Sequence, residues 1–418
     1  MHQLSTRKLK GAMRLALAAS TFAILAAGAA EAGTVRVTIP EYSSNTMPYF
    51  QQAADAFMAA NPDTKIELEM VPWASLQQKL VTDISGGVNA DLAVIGTRWI
   101  LDYADQGVVE PLDSYMDDAF KDRFFQTFLT PSVVDGTTYG LPIAASARAM
   151  FYNKDLLKEA GFDAPPATWD DMLTVSRAIK DLGKDGTHAY GIQGKSTETD
   201  VYWYYPMWSY GGTILNADGK SAVNSDAGKK AMDIYTTMIK EGLTEPGVTD
   251  YQRADIENLF KQGKLGMVIT GPFLSKQIKE QAPDLNYGLA AVPKGTTSAT
   301  YGVTDSIVMF QNSKVKDEAW AFLDFLFTTD QRVKFDQAEG FLPVNKEEAA
   351  NPMFADNADL KVFTDLLAGA HFAPLVAGWE EIADATITDL QSTYLGQMEP
   401  DAALSDIETK VNDVISQN

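Results

Sequence analysis

The sequence predicts an α/β protein of two lobes, on three observations. The chain has 418 residues, too long for one hydrophobic core and suited to two of ordinary size. Strand-like and helix-like patterns alternate through its N-terminal part, the grammar of a parallel sheet covered by helices. That alternation restarts beyond a proline-led, extended stretch, Leu141–Asn153, whose first half is small residues with a single arginine. Small side chains beside an extended run suit a place where the chain must bend without clashing.

Thr34–Ile39 alternates apolar and polar and reads as the first strand. Tyr42-Ser43-Ser44-Asn45 is a polar loop, and a helix starts near Thr46 with Pro48 in its first turn. Phe50, Ala53, Ala54, Phe57 and Met58 give that helix an apolar face, and Asn61-Pro62 stops it. Lys65–Val71 reads as a strand, Ser75–Ile84 as a helix, Asp91–Ile95 as a short buried strand and Arg98–Gln106 as a helix closed by Gly107. After the extended stretch, Lys154–Ala160 is a short helix. Thr168 is an N-cap with Asp171 three residues on, opening a helix to about Leu182. Tyr202–Trp208 is a run of aromatics ending at Gly211-Gly212. Ala227–Glu241 and Ile256–Gln262 are amphipathic helices, and Leu265–Thr270 is a strand leading into Gly271-Pro272-Phe273. Tyr301–Phe310 is extended, Asp317–Thr328 is helical, and the tail from Asn351 is mostly helical.

Composition narrows the function. A formal charge of -22 repels nucleic acid and anionic lipid, and is compatible with neutral ligands and a monomeric surface. Without cysteine there is no disulfide framework and no thiol chemistry. Residues 1–32 read as a cleaved signal peptide: Arg7, Lys8, Lys10 and Arg14 precede an apolar, alanine-rich run, and Ala30-Glu31-Ala32 fits the cleavage rule before Gly33. Removing these four basic residues and Glu31 changes the formal charge from -22 to -25. With no cysteine at the cleavage site, no lipid anchor is expected, and the Gram-negative periplasm is the expected compartment. Catalysis finds little support. His188 and His371 stand apart from any metal-ligand spacing, and no nucleophile elbow, phosphate loop or dinucleotide fingerprint is present. No catalytic residue, metal or cofactor is therefore expected.

Pro142 through Glu159 resembles the signature of the family 1 extracellular solute-binding proteins, the sugar-binding subunits of bacterial ABC importers. Pro142, Ile143, Ala144, Ala149, Met150, Phe151, Tyr152, Asn153, Leu157 and Glu159 meet its constrained positions. The resemblance extends to Pro165–Asp170, Gly211-Gly212, Gly271-Pro272, Phe341–Val344 and Gly378-Trp379, and so covers nearly all of the mature chain. It implies a two-lobed periplasmic binding protein fold of type II, with three crossover segments and ligand in the interlobe cleft. The crossovers would be the Leu141 stretch, Tyr301–Phe310 and Gly340–Val344. The N-terminal lobe is then expected over 33–143, completed by 306–341, and the C-terminal lobe over 144–305, completed by 342–418.

A sugar presents an apolar C–H face and a rim of hydroxyls, so its site needs flat aromatics and planar polar groups. Tyr42, Ser44 and Asn45 follow the first strand, and Thr97, Arg98 and Trp99 follow the third; open α/β sheets bind ligands at such carboxyl ends. Ser146 and Asp305 lie on the crossovers, and Tyr202, Trp203, Phe273 and Trp379 come from the second lobe. Trp73 fits core or site, while Tyr205, Trp208 and Trp320 fit the core. Two departures from the family pattern stand out. Phe273 occupies a place where the family often has a stacking tryptophan. Ser146 stands where its maltose-binding member has a carboxylate, which puts maltose itself in doubt. The expected function is capture of a disaccharide, small oligosaccharide or polyol and its delivery to an ABC permease. An anionic sugar derivative held by Arg98 and Arg148 is one alternative, and a periplasmic glycosidase or lyase is another.

Overall fold

A computed structural model describes residues 33–195 and 198–417. The signal-peptide expectation for 1–32 lies outside the described residues. Two sheets organise the chain. The first has the order β12-β11-β3-β1-β2, with β6 also paired to β11. Its strands are β1 (Gly33–Glu41), β2 (Thr64–Pro72), β3 (Leu92–Gly96), β6 (Gly140–Ala147), β11 (Thr300–Met309) and β12 (Ala370–His371). A small hairpin of β4 (Val133–Val134) and β5 (Thr137–Thr138) precedes β6. The second sheet has the order β10-β7-β9-β8: β7 (Ala149–Asn153), β8 (His188–Tyr190), β9 (Leu265–Thr270) and β10 (Tyr287–Ala290).

Local signals position the first lobe. β1 and β2 pair in parallel from Gly33↔Thr64 to Glu41↔Pro72, and the helix Thr46–Ala60 crosses between them. Phe50, Ala53, Ala54 and Phe57 recur at helical spacing and pack under Val35, Val37 and Ile39 in one core. Burying a side chain of the Phe or Ile kind contributes about 1.5–3 kcal/mol. The next helix, Trp73–Gly86, starts directly after β2, earlier than the sequence pattern suggests, because Pro72 already has the extended backbone of an N-cap position. Beyond β3 the expected single helix is a 3₁₀ turn, Thr97–Trp99, followed by the helix Ile100–Asp105.

In the second lobe the Thr168 cap forms as expected. Its side chain accepts from the Asp171 N–H, and the Asp171 carboxylate accepts from the Thr168 N–H. The aromatic run lies in the helix Thr199–Ser209, all of whose residues are buried. A helix apolar all round has no amphipathic period, so its sequence gives no facing.

The sheets change at Arg148, between β6 and β7, rather than after Ile143. Ala144, Ala145, Ser146 and Ala147 are small enough to continue the antiparallel ladder with β11 as far as Ala147↔Gly302. β11 likewise joins the first sheet at Thr300, ahead of the expected boundary at Ser306. The expected third passage also falls elsewhere. Gly340–Val344 stays on the first lobe: Leu342 N–H donates to the Ala145 carbonyl, Phe125 N–H donates to Val344, and Asn345 bridges Phe124. The helix Ala358–Leu366 already packs on β7 and β10 of the second sheet as well as on β6, the chain returns to the first sheet as β12, and its last passage to the second lobe follows β12. There the helix Trp379–Tyr394 packs on the helices Thr199–Ser209 and Pro400–Gln417.

Candidate functional site

A cavity of about 570 Å³ opens between the two sheets, within the size range of small-molecule sites. The first lobe lines it with Tyr42 to Ser44 after β1, with Trp73, Gln77 and Gln78 at the start of the helix after β2, and with Thr97 to Trp99 after β3. The passages contribute Ser146, Arg148 and Tyr301 to Asp305, while Phe372, Ala373 and Leu375 come from the late passage. From the second lobe come Gln193, Glu198, Gln252, Arg253, Glu257 and Phe273.

Arg148, 3% exposed, sits where the chain leaves one sheet for the other. Its Nη1 donates to Ser146 Oγ at 2.8 Å and its Nη2 to Glu198 Oε1 at 2.7 Å. Its N–H donates to Thr300 Oγ1, which donates back to its carbonyl. Glu198 has a φ of +73°, a left-handed backbone unusual for a side chain with a Cβ. Burial would raise its carboxyl, but Arg148, Arg253 and Arg98 outweigh that and hold it below its ordinary value.

Asp305 lies at an irregularity in the β11–β6 ladder. It accepts a hydrogen bond from Tyr42 Oη at 2.9 Å. Burial pushes its carboxyl up to about 7, against the lowering effect of that bond. Thr97 Oγ1 and Ser306 Oγ are 2.7 Å apart.

Arg98 reaches across the cleft. Its Nε lies 2.6 Å from Glu380 Oε1 and its Nη2 donates to Oε2 at 3.0 Å. Glu380 is in the first turn of the Trp379–Tyr394 helix, and the preceding Gly378 N–H donates to Asp102 Oδ1 of the first lobe at 2.9 Å. Arg98 Nη1 is buried without a partner, as are both carboxylate oxygens of fully buried Asp200. Burial pushes the Asp200 carboxyl up to about 7, opposed by the charge on Arg98.

Of the residues expected at the site, Tyr42, Ser44, Thr97, Arg98, Trp99, Ser146, Phe273 and Asp305 all line this cavity. Four do not. Asn45 turns away and donates through Nδ2 to the Ala338 carbonyl. Tyr202 Oη donates to Ile269 and Trp203 Nε1 to Gly228, both from inside the second-lobe core. Trp379, 1% exposed, is also in that core. Tyr202 and Trp203 belong to a helix buried on every side and Trp379 to the buried face of its helix, which aromatic content alone does not reveal. Gln77, Glu198 and Arg253 join the site unannounced, and Trp73, which fitted core or site, lines it. Trp73 carried a usable signal, since it follows a parallel strand at its carboxyl end; Glu198 carried none. Among the described residues, no group of three His, Asp or Glu side chains is placed to hold a metal.

Two α/β lobes around a cleft closed by passage strands define a two-lobed binding protein. The chain belongs to the family of bacterial extracellular solute-binding proteins, whose pattern it matches over residues 43–333. A protein of Brucella abortus (strain 2308), named only as a binding protein, is 58% identical over 393 residues, covering 94% of this chain and 95% of that one. The maltotriose-binding protein of Pyrococcus abyssi is 26% identical over 369 residues, covering 82% of this chain and 74% of its own. Among solved structures, a solute-binding protein of Thermotoga lettingae bound with α-D-tagatose superposes with a TM-score of 0.85 at 24% identity, covering 92% of this chain and all of that one.

Proposed function

We propose that this chain captures a neutral carbohydrate or polyol between its lobes and delivers it to the permease of an ABC importer, acting as an exported monomer without a chemical step. One observation carries this reading: the two most deeply buried cations of the cavity are each paired with a carboxylate, while amides and hydroxyls supply much of the remaining polar lining. Arg98 is committed to Glu380 and Arg148 to Glu198. An anionic ligand would have to displace these partners and leave a buried carboxylate alone, a cost of about 3–5 kcal/mol. A neutral hydroxyl needs only donors and acceptors, which Ser44, Gln77, Gln78 and Gln252 offer at the cavity wall. The relative named for maltotriose binds an uncharged ligand of this kind.

A thermal-shift screen of neutral mono- to trisaccharides, hexitols, sugar phosphates and sugar acids tests this. A ligand at 100 times its dissociation constant adds about 2.7 kcal/mol to stability. A neutral ring sugar or hexitol should shift the transition, with affinity nearly independent of salt. A shift confined to sugar phosphates, falling steeply with salt, would overturn the neutral reading. Turnover of nitrophenyl glycosides would overturn the absence of a chemical step.

A further inference from the structure

The ring-binding surface can be located by asking which aromatic face the cleft leaves uncovered; this rests on the carbohydrate reading above. Most rings lining the cavity are already occupied. Phe273, 8% exposed, has the guanidinium groups of Arg253 and Arg148 over its ring at 4.7 and 5.9 Å. Tyr301 is stacked on Trp208 and Phe341 on Phe335, at 6.0 and 5.8 Å between centroids. Trp99 is 4% exposed. The Tyr42 hydroxyl is tied to Asp305, and Trp73, Phe335 and Phe341 crowd its ring. Phe372 lies on Gly302 so closely that a Cβ there would be 2.4 Å from its Cζ.

Trp73 is half-buried, as are Tyr42 and Phe372, but its hydroxyl-free ring is neither tied like that of Tyr42 nor laid on backbone like that of Phe372. Its ring neighbours Tyr42 and Trp99 meet it at 55° and 65°, so neither lies parallel over its indole. It is the first residue of a 14-residue helix, which fixes its backbone. Gln77, one turn further on, shares its side of that helix and also lines the cavity. An indole face beside a planar amide matches a pyranose: the C–H face rests on the ring, and the amide both donates to and accepts from neighbouring hydroxyls.

We propose that Trp73 with Gln77 forms the ring-stacking subsite of the cleft, so that the sugar is stacked by the first lobe and not by Phe273. Phe273 instead serves to hold Arg148 and Arg253 in place. The subsite selects a cyclic sugar, with its continuous C–H face, over an open-chain polyol.

Titration calorimetry of the full mature chain, with maltotriose, lactose and D-mannitol as probes, tests the proposal. The wild type should bind a ring sugar, and W73A should raise its dissociation constant by about tenfold or more. W73F should recover part of the loss, and F273L should weaken binding by less than W73A does. Quenching of indole emission by the sugar should disappear in W73F. Because Trp73 is partly exposed, W73A should unfold within a few degrees of wild type, which separates lost stacking from lost folding. Wild-type affinity in W73A and W73F, with F273L or F372A abolishing binding, would overturn the subsite while leaving carbohydrate capture intact. Equal loss for mannitol and for ring sugars in W73A would overturn the selection for a cyclic ligand. Failure of the wild type to bind these three probes or any neutral sugar or hexitol of the thermal-shift screen would remove the carbohydrate reading, and the subsite with it.

Discussion

Arg148 is the single residue between the two sheets, and its guanidinium ties that junction together through Ser146 and Glu198. Replacing it by methionine keeps most of the volume but leaves Glu198 without its partner. R148M should therefore lose about 3 kcal/mol of unfolding free energy, measured in urea, because stranding one member of a buried pair costs more than the pair contributes. Asp305 makes a second residue-scale prediction. Its carboxyl is pushed up to about 7 by burial, whereas an unfolded aspartate titrates near 3.9. Between these values the folded chain binds more protons than the unfolded one, so stability falls as pH rises. The contribution is fully present below about pH 4 and lost as pH passes about 7. Asp200 has the same sign, so wild type alone does not isolate the effect. D305N keeps an acceptor for Tyr42 and should fall less steeply than wild type between pH 4 and 7 in parallel urea titrations. Parallel curves for the two proteins would show that Asp305 titrates as an ordinary surface acid.

At the scale of elements, caps and close approaches decide the outcome. The Thr168–Asp171 box satisfies N–H groups at the start of the Trp169–Asp181 helix, and neither residue lines the cavity. T168A should lose about 1 kcal/mol of stability with ligand affinity unchanged. Gly302 is placed differently. It lies on the passage strand β11, and Phe372 covers it closely enough that any Cβ must push the ring away. Since Phe372, Ala373 and Leu375 line the cavity, G302A should weaken ligand binding by more than its change in melting temperature would suggest. Calorimetry beside thermal unfolding checks this, and unchanged affinity would mean that the 372–375 segment does not touch ligand. How far the sequence exposed these elements depends on their surroundings. The Thr168 cap was legible because a cap is a contact over three residues. The Thr199–Ser209 helix was not, because a helix buried all round shows no periodicity and gives no sign that Tyr202 and Trp203 face inward.

On the scale of the molecule, the two lobes are already joined across the cleft. Arg98 of the first lobe holds Glu380 of the second, and Asp102 accepts from Gly378 beside it. A contact made only when the lobes approach favours the approached state by its full differential strength. E380Q weakens that contact without changing volume. Its ligand-free radius of gyration in small-angle scattering should exceed that of wild type. Its ligand affinity should fall in proportion to the smaller population of the competent state. Saturating ligand should bring both proteins to the same smaller radius. Identical ligand-free radii would mean that the Arg98–Glu380 pair plays no part in closure.

The sequence by itself determined the α/β grammar, the two-lobe organisation, the membership suggested by Pro142–Glu159, and most of the first-lobe side of the cleft. These rest on interactions local in sequence: helical and strand periods, caps, turns, and loops at the ends of parallel strands. Only the tertiary structure decided the partners of Arg98 and Arg148, the burial of Trp203 and Trp379, the exposure of Trp73, and the place of the third passage. Each of those depends on what lies opposite a residue, 50 positions away for Arg148 and Glu198 and 282 for Arg98 and Glu380. Charge pairing and burial are properties of such meetings. A tryptophan has the same local pattern whether its face is covered by another lobe or left open to a sugar.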